Sequence, residues 1–323
     1  MSDLTLVCCW IGDKQYAFYD TDVRQIARVE KMRPDETDDG RVGVLDVGGQ
    51  PAPVFRLGDI LYRDTPNASY GSGNHIAVTG SGDDTAGWLV DHIARTTVPQ
   101  GAHVASLPSV IGPVASSWFE ALVWIGTTSV LLMSPRNLNP LQKRRARVDP
   151  SKSTAIGAKK KSSDPAERVV LLFSTPALPS AGSARFALSG KRIAAITQPI
   201  PAIAVPGSAP HVTGVSWWRS AVVPVVDFRG PGDHDDTEER RRSVIAQCGP
   251  RLGNTLVAFP VDAELAMHRA AAGDRLVADA PCPPYVSGMF EISGEVVALL
   301  DLDALLAPVR SDAAEARDVA MSA

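Results

Sequence analysis

The residue types best suited to chemistry are few in this chain and widely spread. Asp233-His234-Asp235-Asp236 is the densest run of metal-ligating side chains, in a Gly- and Pro-flanked loop beside the charged stretch Glu238–Arg242. Its spacing fits no helix-borne motif such as H-E-x-x-H, where two histidines one turn apart close on a zinc ion. His211 and His268 have no nucleophile pattern beside them, and G-x-S-x-G and P-loop sequences are absent. Cys8, Cys9, Cys248 and Cys282 form no C-x-x-C and have no histidines at zinc spacing, so free core thiols in a reducing cytosol are expected. Triads assemble across a sequence, but no feature here asks for one. No catalytic residue, metal or cofactor is expected.

The informative stretch is His211–Phe228, two apolar runs around a short turn at Trp218–Ser220. In the second run Ala221, Val223 and Val225 share one face, and Val222, Pro224, Val226 and Phe228 the other. A run apolar on both faces reads as a strand buried on both sides. Pro224 cannot donate to a ladder, which predicts an edge or bulge position. Trp217 and Trp218 alternate, so one of them is expected to point into the core.

This stretch occurs twice. At an offset of 171 residues, Gly214, Val215, Pro224, Val225 and Phe228 fall on Gly43, Val44, Pro53, Val54 and Leu57, and Val261-Asp262 on Val90-Asp91. A gapless offset across separate blocks marks an internal duplication. It agrees with the prior of about two domains for 323 residues. The domains expected are 1–138 and 167–309, with a linker over 139–166 and a tail over 310–323. The linker carries Lys143-Arg144-Arg145 and Lys159-Lys160-Lys161 with almost no apolar anchors, and is expected to be flexible.

Each half reads as short strands with Gly-bounded turns. Examples are hairpins at Tyr16–Tyr19 after Thr5–Trp10, at His75–Thr79 with Ala86–Val90, and at Arg242–Cys248 with Thr255–Val261. Lys31–Asp39 reads as loop, and Gly58–Tyr62 and Asp301–Leu306 as short helical turns. The fold class predicted is all-β, two small barrels per half. Net charge is −4, which gives no overall attraction to nucleic acid or an acidic membrane. Nucleic-acid binding by such barrels needs interleaved aromatic and basic residues. With 6% aromatics it is a weak reading, confined to the basic linker. The N-terminus lacks a basic signal region, and no apolar run approaches a membrane span. A soluble cytoplasmic protein is expected.

The residues Gly214-Val215…Arg219-Ser220…Val223-Pro224-Val225-Val226-Asp227-Phe228, then Val261-Asp262, then Gly288…Leu299-Leu300-Asp301-Leu302-Asp303 resemble the CheW-like domain, the coupling module of bacterial chemotaxis. Gly43-Val44, Pro53-Val54 and Val90-Asp91 carry the weaker likeness of the first half. The resemblance implies two tandem CheW-like domains, each a pair of five-stranded SH3-like β-barrels. It implies a non-catalytic adaptor joining the regulatory domain of a CheA-type histidine kinase to the cytoplasmic tip of a chemoreceptor, and other CheW-like domains to each other, on membrane-associated arrays. In the family the kinase docks by pairing barrel ends, and the receptor helix lies near the groove between barrels.

The family's receptor-side arginine is matched by Arg219, beside Ser220 and after Gly214. A guanidinium at a hairpin tip forks onto a carboxylate, and Trp217 and Trp218 would act as anchors. In the first half the corresponding partner-binding positions are Gly43, Gly48 and Gln25. Departures from the family are plain: Gly48 stands where Arg219 does, Arg56 where Asp227 does, and Gln25 and Ala195 replace a common glutamate. An alternative is therefore a tandem interaction protein with reassigned partners in signalling, pili or motility.

Overall fold

The structure is a computed structural model. It describes residues 4–35, 37, 40–63, 73–99, 102–126, 128–139, 169–175, 185–227, 241–269, 275–276, 283, 285–292 and 294–306. The basic linker past Asn139, the tail, Phe228, Cys282 and the Asp233–Asp236 run lie outside the described residues.

In the first repeat the strands are β1 (Leu4–Ile11), β2 (Lys14–Tyr19), β3 (Val23–Arg28), β4 (Arg33–Pro34), β5 (Arg41–Val47) and β6 (Gln50–Arg56). After α1 (Leu57–Leu61) come β7 (His75–Thr79), β8 (Ala86–Val90), β9 (His92–Val98) and β10 (Val104–Ser106). Then follow α2 (Pro113–Trp118), β11 (Phe119–Ile125), β12 (Thr128–Met133) and α3 (Pro135–Leu138). Two six-stranded sheets result, in the orders β10-β11-β12-β2-β1-β9 and β3-β7-β8-β6-β5-β4.

The second repeat has β13 (Val169–Phe173), β14 (Arg185–Ser189), β15 (Ile193–Thr197), β16 (Val212–Trp218), β17 (Ala221–Val226), β18 (Arg241–Gln247) and β19 (Leu256–Asp262). It ends with β20 (Ala266–Arg269), β21 (Arg275–Leu276), β22 (Val286–Ile292), β23 (Glu295–Leu300) and α4 (Leu302–Leu305). Its sheet β20-β13-β14-β23-β22-β21 repeats the first sheet strand for strand. Even the parallel pair recurs, β12 with β2 and β23 with β14. β15, β18 and β19 repeat β3, β7 and β8, and the β16–β17 hairpin repeats β5–β6.

The duplication reaches the core. Cys8 faces Ala17 on one side and Ala94 on the other, and Leu172 faces Ala187 and Ala266 in the same way. Both Cys8 and Leu172 are buried in the clusters of their sheets, so the Cys8 thiol stands as a small apolar side chain where the second repeat has a leucine. Cys8, Cys9 and Cys248 are free and buried. Each fully buried aliphatic side chain contributes ~1.5–3 kcal/mol, which lets both sheets form without disulfides.

The sheets are open, and three have six strands rather than five because β4, β10 and β21, each of two or three residues, extend an edge. β4 falls inside the stretch read as loop. Pro53, the counterpart of Pro224, shows how proline enters such a sheet. β6 lies between β8 and β5, not at an edge. Pro53 pairs with Val44 on the β5 side, and the parallel ladder to β8 begins one residue later, at Val54. The missing N–H therefore falls just before the ladder starts.

By contacts the chain divides into two compact units, Met1–Lys161 with Pro201–Val225, and Ser162–Ile200 with Val226–Ala323. Residues 201–225 belong to the second repeat by sequence and to the first unit by packing.

Candidate partner interface

The hairpin β16–β17 gathers five of the sequence-predicted residues. Gly214 lies in β16, Trp217 and Trp218 close it, and Arg219 and Ser220 form the exposed two-residue turn. Gly214 is structural. A Cβ there would stand 2.3 Å from the Ile203 carbonyl oxygen. That carbonyl is held by a two-bond bridge, with Ile203 N–H donating to Val215 O (2.8 Å) and Val215 N–H to Ile203 O (2.9 Å). Gly43 repeats the arrangement, its missing Cβ leaving room for the Met32 side chain and the Arg33 carbonyl.

Arg219 adopts φ +56, the left-handed region, and only Asn254 shares it among the described non-glycine residues. Its first-repeat counterpart Gly48 has φ +64 at the same place in the β5–β6 turn. Glycine accepts that conformation freely, and an L-residue with a Cβ does not. The Arg219 guanidinium carbon lies 4.4 Å from the centre of the Trp218 ring, a cation–π arrangement at the exposed tip.

Neither tryptophan is fully buried, contrary to the expectation from alternation. The strand ends here, so its last two side chains leave the core on opposite faces. Trp218 carries Arg219. Trp217 packs against Trp124 of β11 (centroids 6.1 Å, 84°) and His103 (6.1 Å, 51°), all within the first unit. Its indole Nε1 is buried without a hydrogen-bond partner among the described residues. Sequence reasoning missed Trp124 and His103. Trp124 is 36% exposed, next to last in β11, where the buried run Ala121–Val123 ends.

Gly48 is exposed in the first-repeat turn, and a Cβ there would meet nothing within 4 Å. Gln25 is half-buried on β3 opposite Val78, at a bulge between Val23 and Gln25. β3 edges its sheet and β5 lies four strands away in hydrogen-bonded order, although Ala27 of β3 and Leu45 of β5 share one core cluster. Ala195 sits at the same bulge of β15.

The first repeat also holds a polar groove of about 690 Å³ lined by Tyr19, Asp22, Arg24, Asp84, Glu120 and Arg136, among others. Burial, then the charges of Glu120 and Asp22, raise the Tyr19 phenol above its ordinary value. By strand register, Asp22 corresponds to Arg192 and Arg136 to Asp303. The charges are exchanged. In the second repeat they pair, Arg192 reaching Asp303 at 3.4 Å, while Asp303 also accepts from Gly249 N–H at 2.6 Å. No group of metal-binding side chains occurs among the described residues, and no helix among them is long and apolar enough to cross a membrane.

Comparison with known proteins adds the family. A solved chain, the scaffolding protein TtCheW from Thermoanaerobacter tengcongensis, is similar at 14% identity, covering 45% of this chain and 94% of that one, with a TM-score of 0.36. No curated protein matches. The family model described as CheW-like domain matches residues 5–106 and 178–310, one match in each repeat. These matches span most of the chain, and the protein is a tandem member of the CheW-like domain family.

Proposed function

We propose that this chain is a non-catalytic signalling adaptor that couples the cytoplasmic tip of a chemoreceptor to the regulatory domain of a CheA-type histidine kinase. A scaffold role of the chemotaxis type follows from the family. The finer reading rests on Arg219. An exposed turn that the first repeat builds with Gly48 is built in the second with an arginine in the left-handed region. That choice costs roughly 1–2 kcal/mol of backbone energy, and such residues concentrate at functional sites.

The guanidinium rests on Trp218 with its edge in solvent, the arrangement from which it can fork onto a carboxylate of a receptor helix. The open groove of the first repeat gives a helix a second place to lie, while the corresponding charges of the second repeat are paired. In this reading the protein works in the cytoplasm and joins membrane-associated arrays through the receptor.

The test is capture from native cytoplasm of wild type beside Arg219→Glu, read by mass spectrometry. Wild type is expected to recover a chemoreceptor and a CheA-type kinase, with the receptor lost from the variant. Unchanged recovery of both by the variant removes Arg219 from the receptor contact. Recovery of neither by wild type, with another signalling or pilus protein enriched, overturns the coupling role.

A further inference from the structure

The segment from Val205 to Trp217 is second-repeat sequence packed on first-repeat residues. Its backbone bonds to the first repeat directly, with Ala209 N–H donating to Ile111 O (2.8 Å) and Ala115 N–H to Gly207 O (3.2 Å). The Ala115 N–H belongs to the first turn of α2, where a helix offers its own amides no acceptor.

Two left-handed glycines allow this approach. A Cβ on Gly112 (φ +105) would stand 3.0 Å from Ala209 N, and one on Gly207 (φ +69) would stand 2.8 Å from Val114 and 2.9 Å from the Trp118 ring. Trp217 then closes the far end against Trp124 and His103. The segment is internally braced, Ser208 Oγ donating to Val212 O (3.0 Å) and Val212 N–H to Ala209 O (2.8 Å).

Because the chain is duplicated, the first repeat carries β5 at the register of β16 and the second carries β22 at the register of β11, and these halves are left over; most of the counterpart of α2, residues 280–285 by register, lies outside the described residues. A surface of this kind, one patch meeting a different patch, propagates from molecule to molecule unless something stops it. The leftover halves differ at the decisive positions. Strand register puts Asp46 where Trp217 stands and Glu291 where Trp124 stands, both exposed. In a chain-to-chain version of the contact, two carboxylates would meet where two indoles meet now, and like charges brought together repel.

We propose that residues 205–217 act as an in-chain partner for the α2–β11 face of the first repeat, and that this contact forms once per chain and does not extend to a second copy. The aromatic pair marks the face as occupied, and the acidic pair keeps the leftover halves from imitating it. This rests on contacts other than those of Arg219, so it stands or falls apart from the receptor reading.

Amide hydrogen exchange on the full chain tests the docking. The Ala209 and Ala115 amides are expected to be protected in wild type. In Trp217→Glu and in the milder Trp217→Leu that protection is expected to fall at least tenfold, with β1 amides unchanged. Free exchange of Ala209 and Ala115 in wild type overturns the proposal, as does full protection in Trp217→Glu. Should Trp217→Glu lose β1 protection through global unfolding, the Trp217→Leu comparison decides.

Light scattering tests the second part. Wild type, Asp46→Trp and Glu291→Trp are expected to stay monomeric, and the double variant to associate as concentration rises. A monomeric double variant, or a wild type that forms chains through this face, refutes the one-per-chain arrangement.

Discussion

Replacing Arg219 by glycine separates the cost of its backbone from the use of its side chain. The left-handed φ of +56 burdens any residue with a Cβ, by roughly 1 kcal/mol at the low end of the range. The cation–π contact with Trp218 at 4.4 Å returns about 0.5–1 kcal/mol at an exposed site. Arg219→Gly therefore loses the contact and sheds the strain, and its stability is expected within about 0.5 kcal/mol of wild type. Arg219→Ala loses the contact and keeps the strain, so it is expected about 1 kcal/mol below Arg219→Gly.

The first repeat supplies the control. Gly48 has φ +64 and open space around its missing Cβ, so Gly48→Ala measures the backbone term alone and is expected to cost about 1 kcal/mol. The assay is urea unfolding followed by far-ultraviolet circular dichroism, with the slope held common. Agreement between the Gly48→Ala cost and the Arg219 Gly–Ala difference supports a strained turn. A neutral Gly48→Ala, or Arg219→Ala as stable as Arg219→Gly, refutes it.

Gly214→Ala is expected to lose two or more kcal/mol, about 1 for each bond of the Ile203–Val215 bridge, since a backbone oxygen at 2.3 Å cannot yield as a side chain does. A cost below that of Gly48→Ala in the same assay contradicts the close approach. Asp303→Asn is expected to weaken the second repeat by roughly 1–3 kcal/mol through Arg192 and Gly249. It is also expected to lower the Cys248 thiol, which burial first and Asp303 second push up to about 12. The pH profile of thiol alkylation checks the latter, and an unmoved profile denies the Asp303 influence. Burial lowers the His211 imidazole below its ordinary value, so the unfolded chain takes the proton first as pH falls. Stability of the first unit is then full above about pH 6.5 and declines below it. His211→Gln is expected to flatten that decline in urea midpoints between about pH 7.5 and 5.5, and an unchanged slope removes His211 as its source.

Much of the fold was legible because the duplication is gapless where it matters. The 171-residue offset aligned the two central hairpins, and turn-rich Gly80–Asp84 gave β7 and β8 to the residue. Short elements escaped. β4 and β10 have too few residues for a period to show, and α2, six residues after Gly112, has no room for a helical stripe. Pro224 was expected at an edge or bulge, yet β17 is not an edge strand, because proline excludes a donor and not a place in the middle of a sheet; at its counterpart Pro53 the parallel ladder starts one residue on.

The candidate site divides in the same way. Arg219 was visible against Gly48 as a change of residue type at one turn, although its strained backbone was not. The Trp217–Trp124–His103 cluster was invisible because its members are far apart in sequence and come from different repeats. Gln25 was grouped with Gly43 and Gly48 by family position alone, and it lies on the edge strand β3 rather than on their hairpin.

Arg219→Gly also gives the most direct test of the adaptor reading, because it removes the guanidinium without burdening the fold. The measurement is a titration of wild type and Arg219→Gly with the cytoplasmic fragment of the chemoreceptor recovered in the capture experiment. A lost charge-assisted pair of about 1.5–3 kcal/mol predicts roughly 10- to 100-fold weaker binding by a variant of undiminished stability. Equal affinity of the two proteins would contradict the assignment of the second-repeat hairpin as the receptor face.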